Sequence, residues 1–149
     1  MRNRPEPENR CIQMTDIFSK EKRSWIMSRV WSQDTTLEIK VRSLVHRMGY
    51  RFRLHRKDLP GKPDLAFISR KKAIFVHGCF WHGHNCPRGG RIPKSNIQYW
   101  NDKIKRNIER DKQNYIALES LGWKILLIWE CELKDPDQIK SKMESFLKN

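Results

Sequence analysis

The sequence predicts a single α/β domain in which helices cover both faces of a mixed β-sheet. Three observations lead to this prediction. Short apolar runs alternate along the chain with longer segments whose apolar residues recur at helical spacing. The 149 residues suffice for one compact domain with one core. The sequence also shows no internal repeat and no change of composition that would mark a second domain.

The first part of the chain predicts a flexible arm followed by two helices. Residues 1–18 are rich in proline, arginine and glutamate without apolar periodicity, so we expect an arm there and a folded domain over 19–149. A short basic helix is predicted from Ser19. The next helix has a clearer start, because Thr35 and Glu38 have the spacing of a capping box. Its apolar stripe and its terminating glycine are Leu37, Val41, Leu44, Val45, Met48 and Gly49.

Three strands are predicted in the middle of the chain. Tyr50–Leu54 alternates apolar and basic residues, as a half-buried strand does. A loop over His55–Pro63 follows. Leu65–Ile68 and Ala73–Val76 are short apolar runs, typical of buried strands, and the polar residues between them predict a tight turn.

The last third predicts helix, strand and helix. We expect a long helix over about 97–121, an apolar strand over Trp123–Trp129 at the centre of the sheet, and a final helix opened by Asp135 and Pro136. The residues of the long helix predicted to face inward are Ile97, Ile104, Ile108, Tyr115 and Leu118. Those of the final helix are Ile139, Met143, Phe146 and Leu147.

The charge balance points to a polyanionic partner. Lysine and arginine number 31 against 17 aspartate and glutamate, which gives a net charge of +14 and a pI near 10.0. We favour nucleic acid over a merely soluble basic surface. No secretory signal is visible and the longest apolar run, Ile125–Trp129, is too short to cross a bilayer. We therefore expect a reducing cytosol, where cysteines more often bind metal than form disulfides.

The segment from Val76 to Cys86 is unusually rich in groups that bind metals. Two cysteines and three histidines lie within or beside it, and Cys131 follows the last predicted strand. Three thiolates and one imidazole suit a structural zinc ion, whereas four unrelated thiols are the alternative. Cys11 is left out, because it lies in the predicted arm. Spacing alone leaves His82 and His84 as competing fourth ligands. The zinc ligands are thus predicted to be Cys79, Cys86, Cys131 and one of these histidines.

Asp64 is a candidate ligand for Mg²⁺. It enters a buried strand beside Arg56, Lys57 and Lys62, an environment that suits a metal contacting a phosphate. On its own, a Pro-Asp pair is more often a turn. The partner strand, however, runs directly into the histidine-rich loop. We therefore expect one site to contain Asp64, the carbonyl of Val76, His77 and His82, with the Glu38 carboxylate aimed at it from its helix start.

Phe80, Trp81 and Trp100 are candidates for wedging between DNA bases. Any one of them alone would more readily be a core residue. Phe80 and Trp81 lie in a polar loop, however, which is a poor place for core aromatics. The basic residues of the long helix are expected to form a solvated face, some of them neutralising phosphates: Lys103, Lys105, Arg106, Arg110 and Lys112.

Four motifs resemble one family. These are Leu59–Asp64 (LPGKPD), Ile74–His82 (IFVHGCFWH), Tyr99–Trp100 and Trp129–Cys131, and they resemble the very short patch repair (Vsr) DNA mismatch endonucleases from Ser19 to the last strand. The resemblance implies a restriction-endonuclease-like fold. It also implies Mg²⁺-dependent nicking of one DNA strand beside a T:G mismatch arising from 5-methylcytosine deamination, with Zn²⁺ as a structural ion.

The resemblance also implies roles for individual residues. Asp64 corresponds to the Mg²⁺ ligand, and Val76, where the family often has threonine, to a ligand through its backbone carbonyl. His82 corresponds to the catalytic histidine, with His77 and Glu38 as residues that hold metal-bound waters. Gly83, where relatives can have histidine, is taken as neutral. The resemblance selects His84 over His82 for zinc, with Cys79, Cys86 and Cys131, and makes Phe80, Trp81 and Trp100 the aromatics that enter the DNA.

Two other classes remain open: a zinc-stabilised DNA-binding module without catalysis, and a restriction-type nuclease that cuts both strands of matched DNA. The partner expected from the resemblance is duplex DNA with a T:G mismatch, together with mismatch-repair accessory proteins. We expect a monomer in the bacterial cytosol or nucleoid, without membrane contact.

Overall fold

The computed structural model describes residues 19–28 and 34–149. The chain divides into two units, residues 1–31 and residues 32–149. The first unit contains helix α1, Lys20–Ser28, which confirms the short basic helix predicted from Ser19. The predicted arm over residues 1–18 lies outside the described residues.

The second unit has the predicted order of helices and strands. Its elements are α2 (Thr36–Arg47), β1 (Arg53–Leu54), β2 (Leu65–Phe67), β3 (Lys72–His77), α3 (Ile97–Ser120), β4 (Lys124–Trp129) and α4 (Pro136–Lys148). Short 3₁₀ turns follow β2 and β4, at Ile68–Arg70 and Glu130–Lys134. Among the described residues, no helix is both long and apolar enough to span a membrane.

The sheet is mixed, as predicted. Its strand order is β1-β2-β3-β4, with β1–β2 and β2–β3 antiparallel and β3–β4 parallel. The prediction that Trp123–Trp129 forms a central strand is wrong, because among the described strands β4 pairs with β3 alone. Helices cover both faces of β4: Ile128 packs with residues of α4, and Leu127 packs with residues of α3. This double cover explains why an edge strand is so apolar.

Alternate residues of the strands feed two cores. Leu65, Ile74 and Ile128 lie on the face covered by α2 and α4. Ala66 and Phe75 lie on the opposite face, against the C-terminal part of α3. This period of two is the pattern of a sheet buried on both sides. The result is one α/β domain whose β3 strand ends at the candidate site.

Two of the predicted inward residues of α3 are exposed, and only Leu118 of the five is fully buried. Ile97 and Ile108 are 47% and 44% exposed, whereas Leu118 is fully buried. The difference arises because only the C-terminal part of α3 covers the sheet. Its N-terminal part lies instead beside the loop after β3, where Ile108 approaches the backbone of Gly83.

The first predicted strand is shorter than expected. Only Arg53 and Leu54 pair with β2. Tyr50 and Phe52 place their rings edge-on to Phe67 rather than continuing the ladder. Aromatic packing therefore replaces strand pairing over the first half of the predicted segment.

The start of α2 places a carboxylate next to the sheet. The Glu38 N–H donates to the Thr35 hydroxyl at 3.3 Å, which is one half of the predicted capping box. The Glu38 carboxylate accepts from the N–H of Asp34 at 2.9 Å, one residue earlier than in a standard box. Glu38 is only 4% exposed, so its charge lies within the protein.

Candidate active site

Asp64 is tied to the neighbouring strand at the entry to β2. The N–H of Val76 donates to Oδ2 of Asp64 at 2.7 Å. Burial raises the pKa of this carboxyl to about 6, although the Val76 N–H opposes the shift. The Glu38 carboxylate raises this pKa further, whereas His55 and Arg42 lower it. Asp64 is therefore close enough to Glu38 to feel its charge.

The end of β3 connects Asp64 to the histidine loop. Val76 precedes His77, the last residue of β3, and the His77 ring stacks on that of His82 with centroids 3.8 Å apart. Contacts thus run from Asp64 through two residues of β3 to His82. The structure therefore brings Asp64, Val76, His77 and His82 into one chain of neighbouring residues, as predicted, although the Asp64 contact shown is with the N–H of Val76.

His82 has a partner that the sequence analysis missed. Its Nδ1 lies 2.5 Å from Oδ2 of Asp111, which is on α3. Burial is the largest single influence on the pKa of Asp111 and raises it, but the hydrogen bond to His82 and the charges of His82, His77 and Arg110 together lower the pKa overall. The sequence offered only a weak signal: Asp111 stands four residues before Tyr115, on the helix face turned toward the loop.

His77 is buried beneath His82. Its Nε2 contacts the hydroxyl of Tyr115. Burial lowers the pKa of His77 to about 3, and the adjacent His82 adds to the shift. Burial also raises the pKa of Tyr115. Both groups are therefore neutral at ordinary pH, and His77 supports the His82 ring as an uncharged stacking partner.

A second polar cluster surrounds Glu38. Side-chain ligand atoms of Asp34, Glu38 and His55 lie within 4.8 Å of one another. Nη2 of Arg42 contacts all three, at 2.5 Å, 3.2 Å and 3.0 Å respectively. The sequence analysis assigned no role to Asp34, Arg42 or His55. The available signals were the i,i+4 spacing of Glu38 and Arg42 and the position of Asp34 beside the cap.

Three cysteines and a histidine form a compact cluster. One ligand atom from each of Cys79, His84, Cys86 and Cys131 lies within 4.8 Å of the others. Cys131 Sγ is 3.5 Å from Nδ1 of His84. The Gly89 N–H, which donates to the sulfur of Cys86 at 3.3 Å, lowers the pKa of that thiol to about 6. The set of three sulfurs and one imidazole fits tetrahedral zinc. His82 contacts Asp111 instead, so the cluster contains His84.

Trp129 contacts both this cluster and the candidate catalytic residues. Its ring stacks on His84 at 4.2 Å, nearly parallel, and lies 5.3 Å from the ring of His77. The thiol cluster, through His84, and the His77–His82 pair, through His77, therefore both contact one indole.

The three candidate wedge residues form one aromatic cluster. Centroids of Phe80, Trp81 and Trp100 lie 5.3–5.9 Å apart, and all three side chains are partly exposed. The ammonium of Lys103 lies 5.4 Å from the centroids of both indoles. The Asn107 side chain donates to the Trp81 carbonyl at 3.0 Å, which fixes the loop to α3. Rings and a cation are thus presented together.

Comparisons with known proteins identify the family to which this chain belongs. Residues 15–88 match the profile of the family described as DNA mismatch endonuclease Vsr. The type II nicking enzyme V.XorIIP of Xanthomonas oryzae pv. oryzae is 50% identical over 134 residues, which are 90% of this chain and 98% of that protein. The DNA mismatch endonuclease Vsr of Escherichia coli K12 is 36% identical over 126 residues, 85% of this chain and 80% of that protein.

A solved structure of an endonuclease domain has a similar fold. The catalytic domain of the homing endonuclease I-Bth0305I superposes with a TM-score of 0.51 at 23% identity, covering 76% of this chain and 94% of that domain. The fold and the relatives together define a DNA endonuclease. More specifically, the chain belongs to the Vsr family of DNA mismatch endonucleases, as its motifs indicated.

Proposed function

We propose that this protein nicks one strand of duplex DNA beside a T:G mismatch that arises from deamination of 5-methylcytosine, by Mg²⁺-dependent hydrolysis of a phosphodiester. The continuous contact from Asp64 through Val76 and His77 to His82 is the observation that carries the proposal. Two relatives support it, since one is a DNA mismatch endonuclease and another a nicking enzyme.

Two oxygens on this chain suit a hard divalent ion. Oδ2 of Asp64 accepts a hydrogen bond from the Val76 N–H, and Oδ1 is the oxygen that would bind the ion. In the β2–β3 register, Leu65 faces Ile74, so the position opposite Val76 falls on Pro63, which has no N–H to donate. The Val76 carbonyl points to the same side as its N–H, toward Asp64. A backbone ligand also explains how valine is compatible with the role.

A bound Mg²⁺ would neutralise charge that develops on the scissile phosphate. His82 acts as the general base. Its Nδ1–H donates to Asp111, which leaves Nε2 free to accept a proton from the attacking water. Asp111 fixes the tautomer and the ring orientation. His77 supports the ring from below, and Glu38 lies near Asp64 to orient water.

The Cys79, His84, Cys86 and Cys131 cluster binds zinc in this proposal, and its role is structural. The cluster anchors the loop that carries Phe80 and Trp81, and Trp129 packs it against His77. With Trp100, these rings form a wedge that enters the base stack at the mismatch. A wobble pair unstacks at lower cost than a matched pair, which favours cleavage beside T:G. The net charge of +14 supplies affinity for the DNA backbone.

Three variants test the proposal by separating cleavage from binding. Asp64→Ala and His82→Ala should abolish Mg²⁺-dependent nicking of a T:G duplex while binding in a gel-shift assay is retained. Asp111→Asn should reduce the single-turnover nicking rate by about 10–100-fold, because it weakens the orientation of His82. Wild-type nicking by the Asp64 or His82 variant would remove that residue from the mechanism.

A further inference from the structure

Arg42 connects three segments of the chain beside the candidate active site. Asp34 precedes α2, Glu38 lies in its first turn, and His55 follows β1. Nη2 of Arg42 reaches all three, with its shortest contact, 2.5 Å, to Asp34. One nitrogen thus holds the helix start to the loop that leads toward Asp64.

The backbone at two of these contacts is unusual. Asp34 and His55 have φ values of 55° and 44°, in the left-handed region that glycine favours. Such conformations cost about 1–3 kcal/mol for other residues, and they tend to cluster at functional sites. Both side chains end at the Arg42 guanidinium. Nε of Arg42 is buried without a hydrogen-bond partner among the described residues. The contacts to Arg42 therefore hold Asp34 and His55 in backbone conformations that lower the stability of the protein.

Charge explains what this geometry achieves. Glu38 is almost fully buried, and its charge acts on the nearby Asp64. Like charges in a buried site repel one another unless a cation lies between or beside them. The ligand atoms of Asp34, Glu38 and His55 are close enough together to hold a metal ion. Arg42 contacts all of them, so a guanidinium supplies the positive charge there.

We propose that Arg42, held by Asp34 and His55, is a positioning residue that fixes the Glu38 carboxylate beside Asp64. Its guanidinium supplies the positive charge that the cluster of Asp34, Glu38 and His55 surrounds. The inference rests on the proposed function, since Glu38 matters to cleavage only if Asp64 is part of the reacting site. Arg42 acts through Glu38 and is not assigned a contact with DNA.

The test compares two arginines on the same helix. Arg42→Ala should lower the single-turnover nicking rate of a T:G duplex about 10–100-fold, the usual effect of losing a residue that orients a site residue. The Kd of Arg42→Ala for the same duplex, measured with Ca²⁺ in place of Mg²⁺, should stay within about twofold of the Kd of a control variant, Arg47→Ala. The control is Arg47→Ala, which removes the same charge from an exposed position of α2. Equal rates for the two variants would overturn the proposal.

A double variant separates positioning from general damage. If Arg42 acts through Glu38, adding Arg42→Ala to Glu38→Ala should cost no further rate. A full additional loss would mean that Arg42 acts elsewhere and would refute the proposal. Arg42→Lys keeps the charge but offers one ammonium in place of the guanidinium, so its rate should also fall at least tenfold. A wild-type rate for Arg42→Lys would contradict the geometry even if the alanine variant does not fold.

This design keeps the two proposals apart. If Asp64→Ala nicks normally, the proposed function fails whatever Arg42 does. If Asp64→Ala is inactive and Arg42→Ala matches Arg47→Ala, only the positioning role is lost.

Discussion

The two sides of the candidate site are held together by different means. On one side, the loop after β3 gathers thiols and an imidazole around a point that suits a metal ion. On the other side, the Val76 N–H donates to Asp64, and the Arg42 guanidinium contacts Glu38. If zinc binds as proposed, the loop depends on that ion for its order, whereas Glu38 already has a protein cation, Arg42, beside it. Removing metal and changing pH should therefore affect the two sides differently.

Glycine matters on the loop side because the chain turns tightly there. A Cβ on Gly89 would lie 1.8 Å from the backbone oxygen of His84, and Gly83 has a φ of +61° beside Ile108. The carboxylate side instead tolerates two non-glycine residues in the left-handed region, held by polar contacts to Arg42. Space constrains the loop, and charge constrains the other side.

Loss of the zinc ligands should have the largest effect. We expect one zinc per purified chain, and Cys131→Ser should lose it along with nicking. Unfolding free energy should fall by at least about 3 kcal/mol. That is well below the roughly 10–16 kcal/mol with which zinc binds finger peptides, because the sheet core does not depend on the ion. Inductively coupled plasma mass spectrometry measures the zinc content, and thermal unfolding measures the loss of stability. Cys11→Ser is the control, and equal zinc content in the two variants would contradict the ligand set.

Without Mg²⁺, ionisation of the buried Asp64 should lower the free energy of unfolding of the protein as the pH rises. Burial raises the pKa of Asp64 to about 6, above its ordinary value of 3.8. The free energy of unfolding should therefore fall between about pH 4 and pH 6 and stay at the lower value above pH 6. Asp64→Asn should therefore stabilise the zinc-loaded, Mg²⁺-free protein by about 1–3 kcal/mol at pH 8. Urea unfolding at pH 4.5 and pH 8 measures the difference.

The control for Asp64 is a carboxylate with the opposite shift. Arg56 lowers the pKa of Asp58 through a hydrogen bond of 2.6 Å, so Asp58→Asn should bring no gain at pH 8. A pH-independent effect of Asp64→Asn would show that burial does not perturb Asp64 as described.

Gly83→Ala should have the smallest effect, about 1–2 kcal/mol of unfolding free energy. That glycine in place of histidine is neutral at position 83 stays a prediction, but the φ of +61° at Gly83 favours glycine there. An added Cβ would lie 2.5 Å from Cδ1 of Ile108, the movable end of a side chain. Gly49→Ala isolates the backbone cost, since Gly49 has a φ of +86° with nothing within 4 Å of its Cβ position. Equal Tm values for Gly83→Ala and wild type would refute the strain at this loop.

Local patterns in the sequence predicted most elements and part of the site. Asp135 caps α4 and Pro136 opens it, as expected, because both signals act within one helical turn. The cysteine cluster was predictable since its members are chemically distinctive, although spacing left His82 and His84 unresolved. Asp111 and Arg42 were missed because charged helical residues usually face solvent, and only tertiary packing turns these two inward. The edge position of β4 likewise depends on packing.

Strand-resolved cleavage of matched and mismatched DNA tests the proposed mismatch-dependent nicking most directly. Duplexes carrying T:G, T:A or C:G in varied flanking contexts, with each strand labelled separately, are incubated with the zinc-loaded enzyme and Mg²⁺. The proposed function predicts a single nick, in one strand, in T:G duplexes of at least one context, with no cut in the matched controls. Equal cleavage of matched duplexes, or cutting of both strands, would contradict it.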